Sequence, residues 1–346
     1  MIDRPIRAAV GTDRASIITM PLARAFAAAA AVLIVGAHEI ISASAEDWPT
    51  HSLTLVVPWA AGGGTDVMGR ILARRMSEIL GQPVVVENIS GGGGMVGSAH
   101  VARAEPDGYT FDFGSRSDAI NMTLYKHPIY NFQADLAPVI LVADQPTVLV
   151  ARKDLPVDGL KDFVSYVKKN QGTIKLGSAG VGSTGGVDCE IFNRMIGVSI
   201  QEIPYRGSGP AMQDLIAGQF DYFCTISGSA AAPLQNGLIK GIAALRHERL
   251  PSVPDVPTYF EQGMDFEAST WFGFFAPKAT PAPIIKKLRD ASATAMQTPS
   301  VREQLATNGT YVVSPDKQST EYLQSIIGPE IEKNGAPLKA AGISVD

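Results

Sequence analysis

The feature that most constrains this chain is a unit it repeats: a short apolar strand, a glycine- or serine-rich loop, then a helix. Leu53-Thr54-Leu55-Val56-Val57-Pro58 is β-rich, Gly62-Gly63-Gly64 forms a loop, and Thr65 to Leu80 has helical spacing in Val67, Ile71, Leu72, Met76, Ile79 and Leu80 until Gly81 stops it. The unit recurs as Pro83–Glu87, Gly91–Gly94 and Val96–Ala104, and a third strand, Tyr109–Phe113, runs into Gly114-Ser115-Arg116-Ser117. Alternation of this kind predicts an α/β fold of parallel strands joined by crossover helices.

Around Leu136 to Val150 the pattern changes. The runs Val139–Val142 and Val148–Val150 flank Gln145-Pro146 and read as a chain crossing to a second lobe. That lobe repeats the scheme with strands at Ile174–Ser178, Ser199–Pro204, Phe220–Thr225 and Ile239–Leu245, and helices at Ser183–Ile196 and Pro210–Ala217. Trp271–Ala276 is a further strand, and the helical stretches Pro281–Met296, Val301–Asn308 and Gln318–Ala341 pack back on the first lobe. The expected division is 46–142 with 268–346 as lobe 1 and 143–267 as lobe 2. Two lobes joined by two crossings leave a cleft, and hinge closure on a ligand suits that geometry. The 346 residues suffice for both.

The first 45 residues read as a signal peptide. Arg4, Arg7, Arg14 and Arg24 supply positive charge, Ala25–Gly36 is apolar, and Ala43-Ser44-Ala45 is a small-x-small site predicting cleavage after Ala45. Translation starts at Met1 or at Met20, which opens a more compact signal. The apolar run is too short to span a bilayer, which needs about 20 residues, so the mature protein is expected in the periplasm. Cys189 and Cys224 are the two cysteines; export permits a disulfide, and spacing leaves the pairing open. The five histidines are scattered, so no metal site and no cofactor is expected. A net charge of −5 without a basic block excludes nucleic acid as the main partner.

In open parallel sheets, ligands sit beyond the carboxyl ends of strands, where helix N-termini offer unpaired N–H groups and partial positive charge. Two glycine loops occupy such places. In the first, Trp59, Ala60, Ala61, Gly62, Gly63, Gly64, Thr65 and Asp66 are the candidates. Thr65 or Asp66 caps the helix, and Trp59 packs between lobes or faces the cleft. In the second, backbone amides of Ser178, Ala179, Gly180 and Gly182 are joined by the hydroxyls of Ser183 and Thr184. A third loop offers Tyr205 and the Gly207 amide, with Arg206 assigned to the surface, and the end of the third strand contributes Ser115 or Ser117. Gly180, Gly182 and Gly185 match G-x-G-x-x-G, but no acid ends a strand at the ribose-binding distance, and nucleophile and phosphate-loop motifs are missing. The reading is of a binding protein and not an enzyme.

Taken together, the stretches 55–66, 80–88, 106–110, 177–183, 204–207, 254–258 and 271–277 resemble the TctC/Bug family of extracytoplasmic receptors, the substrate-binding components of tripartite tricarboxylate transporters. The resemblance spans the mature chain in family order. It implies a type II periplasmic-binding fold, a small organic carboxylate held by the strand-to-helix loops of both lobes, membrane transporter subunits as partners and a monomeric receptor. It also adds Asn121 and Thr225 as cleft-lining positions. Gly186 stands where the family often has His, Thr225 where an acid or amide is frequent, and Trp59 where a smaller aromatic is common, so the particular ligand is not inherited. The alternatives are a receptor that reports its ligand to a membrane sensor, or a secreted enzyme on the same fold.

Overall fold

The computed structural model describes residues 47–340 and 344–345, and of 334–340 only the backbone. The export segment, its cleavage site, the choice of start and the end of the last helix lie outside those residues.

Strand β1 (Leu53–Val57) is almost wholly buried and pairs in parallel with β2 (Val84–Asn88) and β3 (Thr110–Ser115). Helices α1 (Gly64–Leu80) and α2 (Met95–Ala102) are the crossovers. Helix α3 (Arg116–Leu124) follows β3 without an intervening loop, and the short α4 (Phe132–Asp135) precedes β4 (Leu136–Arg152). The second group of strands comprises β5 (Leu176–Ser178), β6 (Glu202–Pro204), β7 (Tyr222–Ile226) and β8 (Ile239–Ala244). Between them run α5 (Gly159–Lys169), α6 (Thr184–Met195), α7 (Ser208–Ile216) and α8 (Ser227–Gln235). The chain returns through β9 (Ser269–Pro277) and ends with α9 (Ala282–Gln297), α10 (Pro299–Thr307), β10 (Tyr311–Val312) and α11 (Thr320–Ala340).

The two apolar runs around Gln145-Pro146 are not separate strands. They form one 17-residue strand. Its residues 136–146 pair antiparallel with β9, and from Thr147 onward its partners are β7 and β8. Pro146, which lacks an N–H, sits where the ladder changes partners, the place where a missing donor costs least. Strand order β2-β1-β3-β9-β4-β7-β5-β6 therefore places the two antiparallel strands in the middle and a parallel group on each side.

Each group has its own apolar packing. Leu149, Phe163, Leu176, Phe192, Tyr222 and Tyr259 build one cluster of the second group. Val56, Met95, Phe132, Phe275, Leu323 and Ile327 build the cluster into which α11 packs, as the C-terminal helical periodicity predicts. Cys189 on α6 and Cys224 on β7 form a disulfide between two fully buried positions, which answers the question the spacing left open.

The bridge closes a loop whose ends are 35 residues apart. By loop-closure entropy, reduction or the C189A/C224A pair should cost roughly 2–4 kcal/mol of stability. Urea unfolding of the oxidised and reduced protein measures this; equal midpoints would refute it.

Candidate functional site

Five helices begin at one point. Thr65 of α1, Ser115 and Ser117 at the start of α3, Ser183, Thr184 and Gly185 at the start of α6, Ser208 of α7 and Thr225-Ile226 just before α8 all line one small cavity. Trp59, Ala179, Cys224 and, from β9, Thr270 and Phe272 complete its wall. No Lys, Arg, His, Asp or Glu lines it. The first N–H groups of a helix lack intrahelical acceptors, so this is a site of positive potential made from backbone and hydroxyl dipoles. In helices α1, α7 and α8 the N-cap residue makes no side-chain cap bond, and of the first-turn N–H groups of α1 that of Gly64 is taken by Ser229 Oγ.

The strand patterns put these groups there. Parallel β1, β3, β5 and β7 all end at this side, and each hands over to a helix within a few residues. On β9, Thr270 and Phe272 point the same way because side chains alternate along a strand.

The two glycine loops serve mainly for close backbone approach. Several of their amides are taken by protein acceptors: Gly62 N–H by Asp66 Oδ2 at 3.0 Å, Gly64 N–H by Ser229 Oγ at 2.9 Å, Ala60 N–H by the Arg206 carbonyl at 2.9 Å, and Gly180 N–H by Ser178 Oγ at 3.1 Å. Ala61 and Gly62 are exposed and lie off the cavity wall. Asp66 is buried and off the wall too. Burial would raise its carboxyl, but Arg70, the Gly62 amide and Asn88 hold it below the usual carboxylate range. Ser178 is turned toward Glu202, its hydroxyl donating to that carboxylate. Gly63 and Gly207 pack against Ser208 and Ala60 in the seam between the loops.

The opposing walls meet directly. Ser117 Oγ lies 3.0 Å from Thr184 Oγ1 and accepts the Thr184 N–H at 3.1 Å. Asn121 donates to the Gly93 carbonyl at 3.1 Å. Gly182 has φ 84° and lies so near Asn121 Oδ1 that a Cβ there would overlap it. Arg116, 12% exposed, reaches across to Asp188 at 3.1 Å, whose other oxygen accepts from Thr147 at 2.7 Å. Outside this seam a second groove carries Gly180, Tyr205 and the Gly91–Gly94 loop, and shares Trp59 and Ala179 with the inner cavity.

Of the candidates from sequence, Trp59, Thr65, Ser115, Ala179, Ser183, Thr184 and Thr225 line the inner cavity. Gly180 and Tyr205 line the outer groove, while Asn121 and Gly182 meet in the seam. Sequence reasoning missed Gly185, Ser208, Thr270 and Phe272. Ser208 lay inside a loop already singled out, and the alternation of Thr270 with Phe272 is a face signal that was available. Cys224 and Ile226 carry no polar signal at all.

A family model described as "Tripartite tricarboxylate transporter family receptor" matches residues 68–343. The chain belongs to that family. It is 37% identical over 303 residues to an Agrobacterium vitis protein of the TAR-I ttuE-ttuC' intergenic region, covering 87% of this chain and 88% of the relative. The periplasmic binding protein BugD has the same fold, with a TM-score of 0.84 at 35% identity over 86% of this chain and 99% of BugD. MatC from Rhodopseudomonas palustris, with bound malate, gives a TM-score of 0.81 at 36% identity over 84% of this chain and 99% of MatC. The fold is that of type II periplasmic binding proteins, and this family member is a periplasmic solute-binding receptor rather than an enzyme. Among the described residues, no group of His, Cys, Asp and Glu is arranged to hold a metal.

Asp66→Asn tests the scaffold role of the first loop. The lowered carboxyl contributes stability that is present above the ordinary carboxyl range and lost as pH falls through its folded value. The variant should lose about 1–3 kcal/mol near neutral pH, and the gap should close on acidification to about pH 2. Urea unfolding at both pH values measures it; a gap that persists in acid would contradict the ionic origin.

Proposed function

We propose that this receptor captures a small organic carboxylate in the inner cavity and delivers it to the membrane subunits of a tripartite tricarboxylate-type transporter. One observation carries the reading: five helix N-termini converge on a cavity that has hydroxyls but no cationic side chain. A carboxylate suits such a site, because it accepts several N–H and O–H donors at once and answers the helix dipoles. MatC, whose fold is shared, holds malate.

In this reading the carboxylate is held by Thr65, Ser115, Ser183, Thr184 and Thr225 together with helix amides, and Trp59 and Ala179 bound its apolar end. Asn121, Gly180, Gly182, Tyr205 and Gly207 act at the seam, and Ala60–Gly64, Asp66 and Ser178 hold the loops in shape. Residues 46–142 with 268–346 form one lobe and 143–267 the other, hinged through β4 and β9. The chain is exported, cleaved after Ala45 and works as a monomer without a cofactor.

A ligand at 100 times its dissociation constant adds about 2.7 kcal/mol. A thermal-shift screen of dicarboxylates, citrate-like acids, acidic amino acids and aromatic acids should therefore find an acid that raises the melting temperature by several degrees. A response to sugars or cations, with none to any carboxylate, would reject the proposal.

Closure is open to a separate test. A side chain at Gly182 collides with Asn121 where the walls meet, besides straining the left-handed backbone there, so Gly182→Ala should weaken binding of that acid by about tenfold or more, measured by isothermal titration calorimetry. Unchanged affinity would mean that closure is not part of capture.

A further inference from the structure

Directly behind the α3 wall of the cavity lies a buried acidic cluster that the ligand reading does not use. Asp112 in β3 is fully buried, and no well-formed hydrogen bond reaches either carboxyl oxygen, Ser98 and the Phe113 N–H being the donors beside it. Asp118, 1% exposed, lies in the first turn of α3. It accepts the Ser115 N–H at 2.7 Å and the Tyr130 hydroxyl at 2.5 Å. The Ser115 side chain answers with a bond to the first turn, completing a capping box.

Every element around the pair is uncharged toward it. Strands β1 and β9 set Val56 and Phe275 beside Asp112. Helix α2 contributes Ser98, and α11 the apolar Leu323 and Ile327. The nearest cations on these elements are engaged elsewhere: Arg116 with Asp188 and Glu330, and Arg103 with the Ile129 carbonyl. Two carboxyls enclosed without a cation cannot both ionise. Burial raises both, and Asp112 furthest, since Asp118 repels a second charge. Asp118 is the ionised member, because two donors and a helix N-terminus favour its charge.

We propose that Asp118, braced by Tyr130, is the positioning residue of the ligand site, fixing the α3 N-terminus so that Ser115 and Ser117 face the cavity and the Ser117–Thr184 bond can form. This rests on the carboxylate reading of the cavity. Asp118 touches no ligand; it acts through the two serines.

The test measures binding of succinate, L-malate and adipate by calorimetry near neutral pH. Amide hydrogen exchange of residues 115–118 is followed in parallel. D118N should bind about tenfold more weakly and exchange its α3 first-turn amides about tenfold faster, with Y130F, a milder change, moving both in the same direction. D118N and Y130F that match the parent in both readouts would overturn the proposal. If the parent binds none of the acids, the carboxylate reading fails instead, and the exchange rates alone decide whether Asp118 positions α3.

Discussion

The antiparallel pair β4–β9 is the constraint on which the rest of the molecule depends. Strand β4 pairs with β9 up to Pro146 and with β7 and β8 beyond it, so it runs through both groups, and β9 returns the chain to the first. The cavity lies where these strands pass between the groups, with Thr270 and Phe272 of β9 in its wall. Had the two groups been joined by loops alone, the five helix starts would have no fixed relation. A continuous hydrogen-bonded ribbon sets their distance while bending far more easily than a packed core, as capture by closure requires.

The site gains its electrostatic character from orientation rather than from charged side chains. Aligned peptide dipoles and hydroxyls attract an anion without enclosing a Lys or Arg that would demand a counter-ion when the cavity is empty. Charges are kept to the periphery and paired: Asp66 with Arg70, and Arg116 with Asp188 and Glu330. The buried Asp112–Asp118 pair is the exception, and its place behind α3 gives it leverage over Ser115 and Ser117 without contact with the guest.

The glycines divide into two kinds of work that look identical in a sequence. Gly62–Gly64 and Gly180–Gly186 read as amide cradles, yet several of their N–H groups are already spoken for by Asp66, Ser229, Ser178 and Ser183. Their absent side chains matter more, letting backbone meet backbone across the seam. Gly93, for instance, lies against the Val181 carbonyl with no room for a Cβ.

Strand and helix periods, and the turn chemistry at each strand end, are local properties, so the sequence alone determined the α/β alternation, the strand-end location of the site and the roles of Thr65, Ser183 and Thr184 as groups at helix starts. The pairing of Cys189 with Cys224, the continuity of β4 through Pro146, and the meeting of Ser117 with Thr184 are contacts between residues far apart in the chain. So is the shared burial of Asp112, Asp118 and Tyr130. No local pattern encodes them, because they arise only when packing brings separate units together and removes the water that would otherwise have screened their charges.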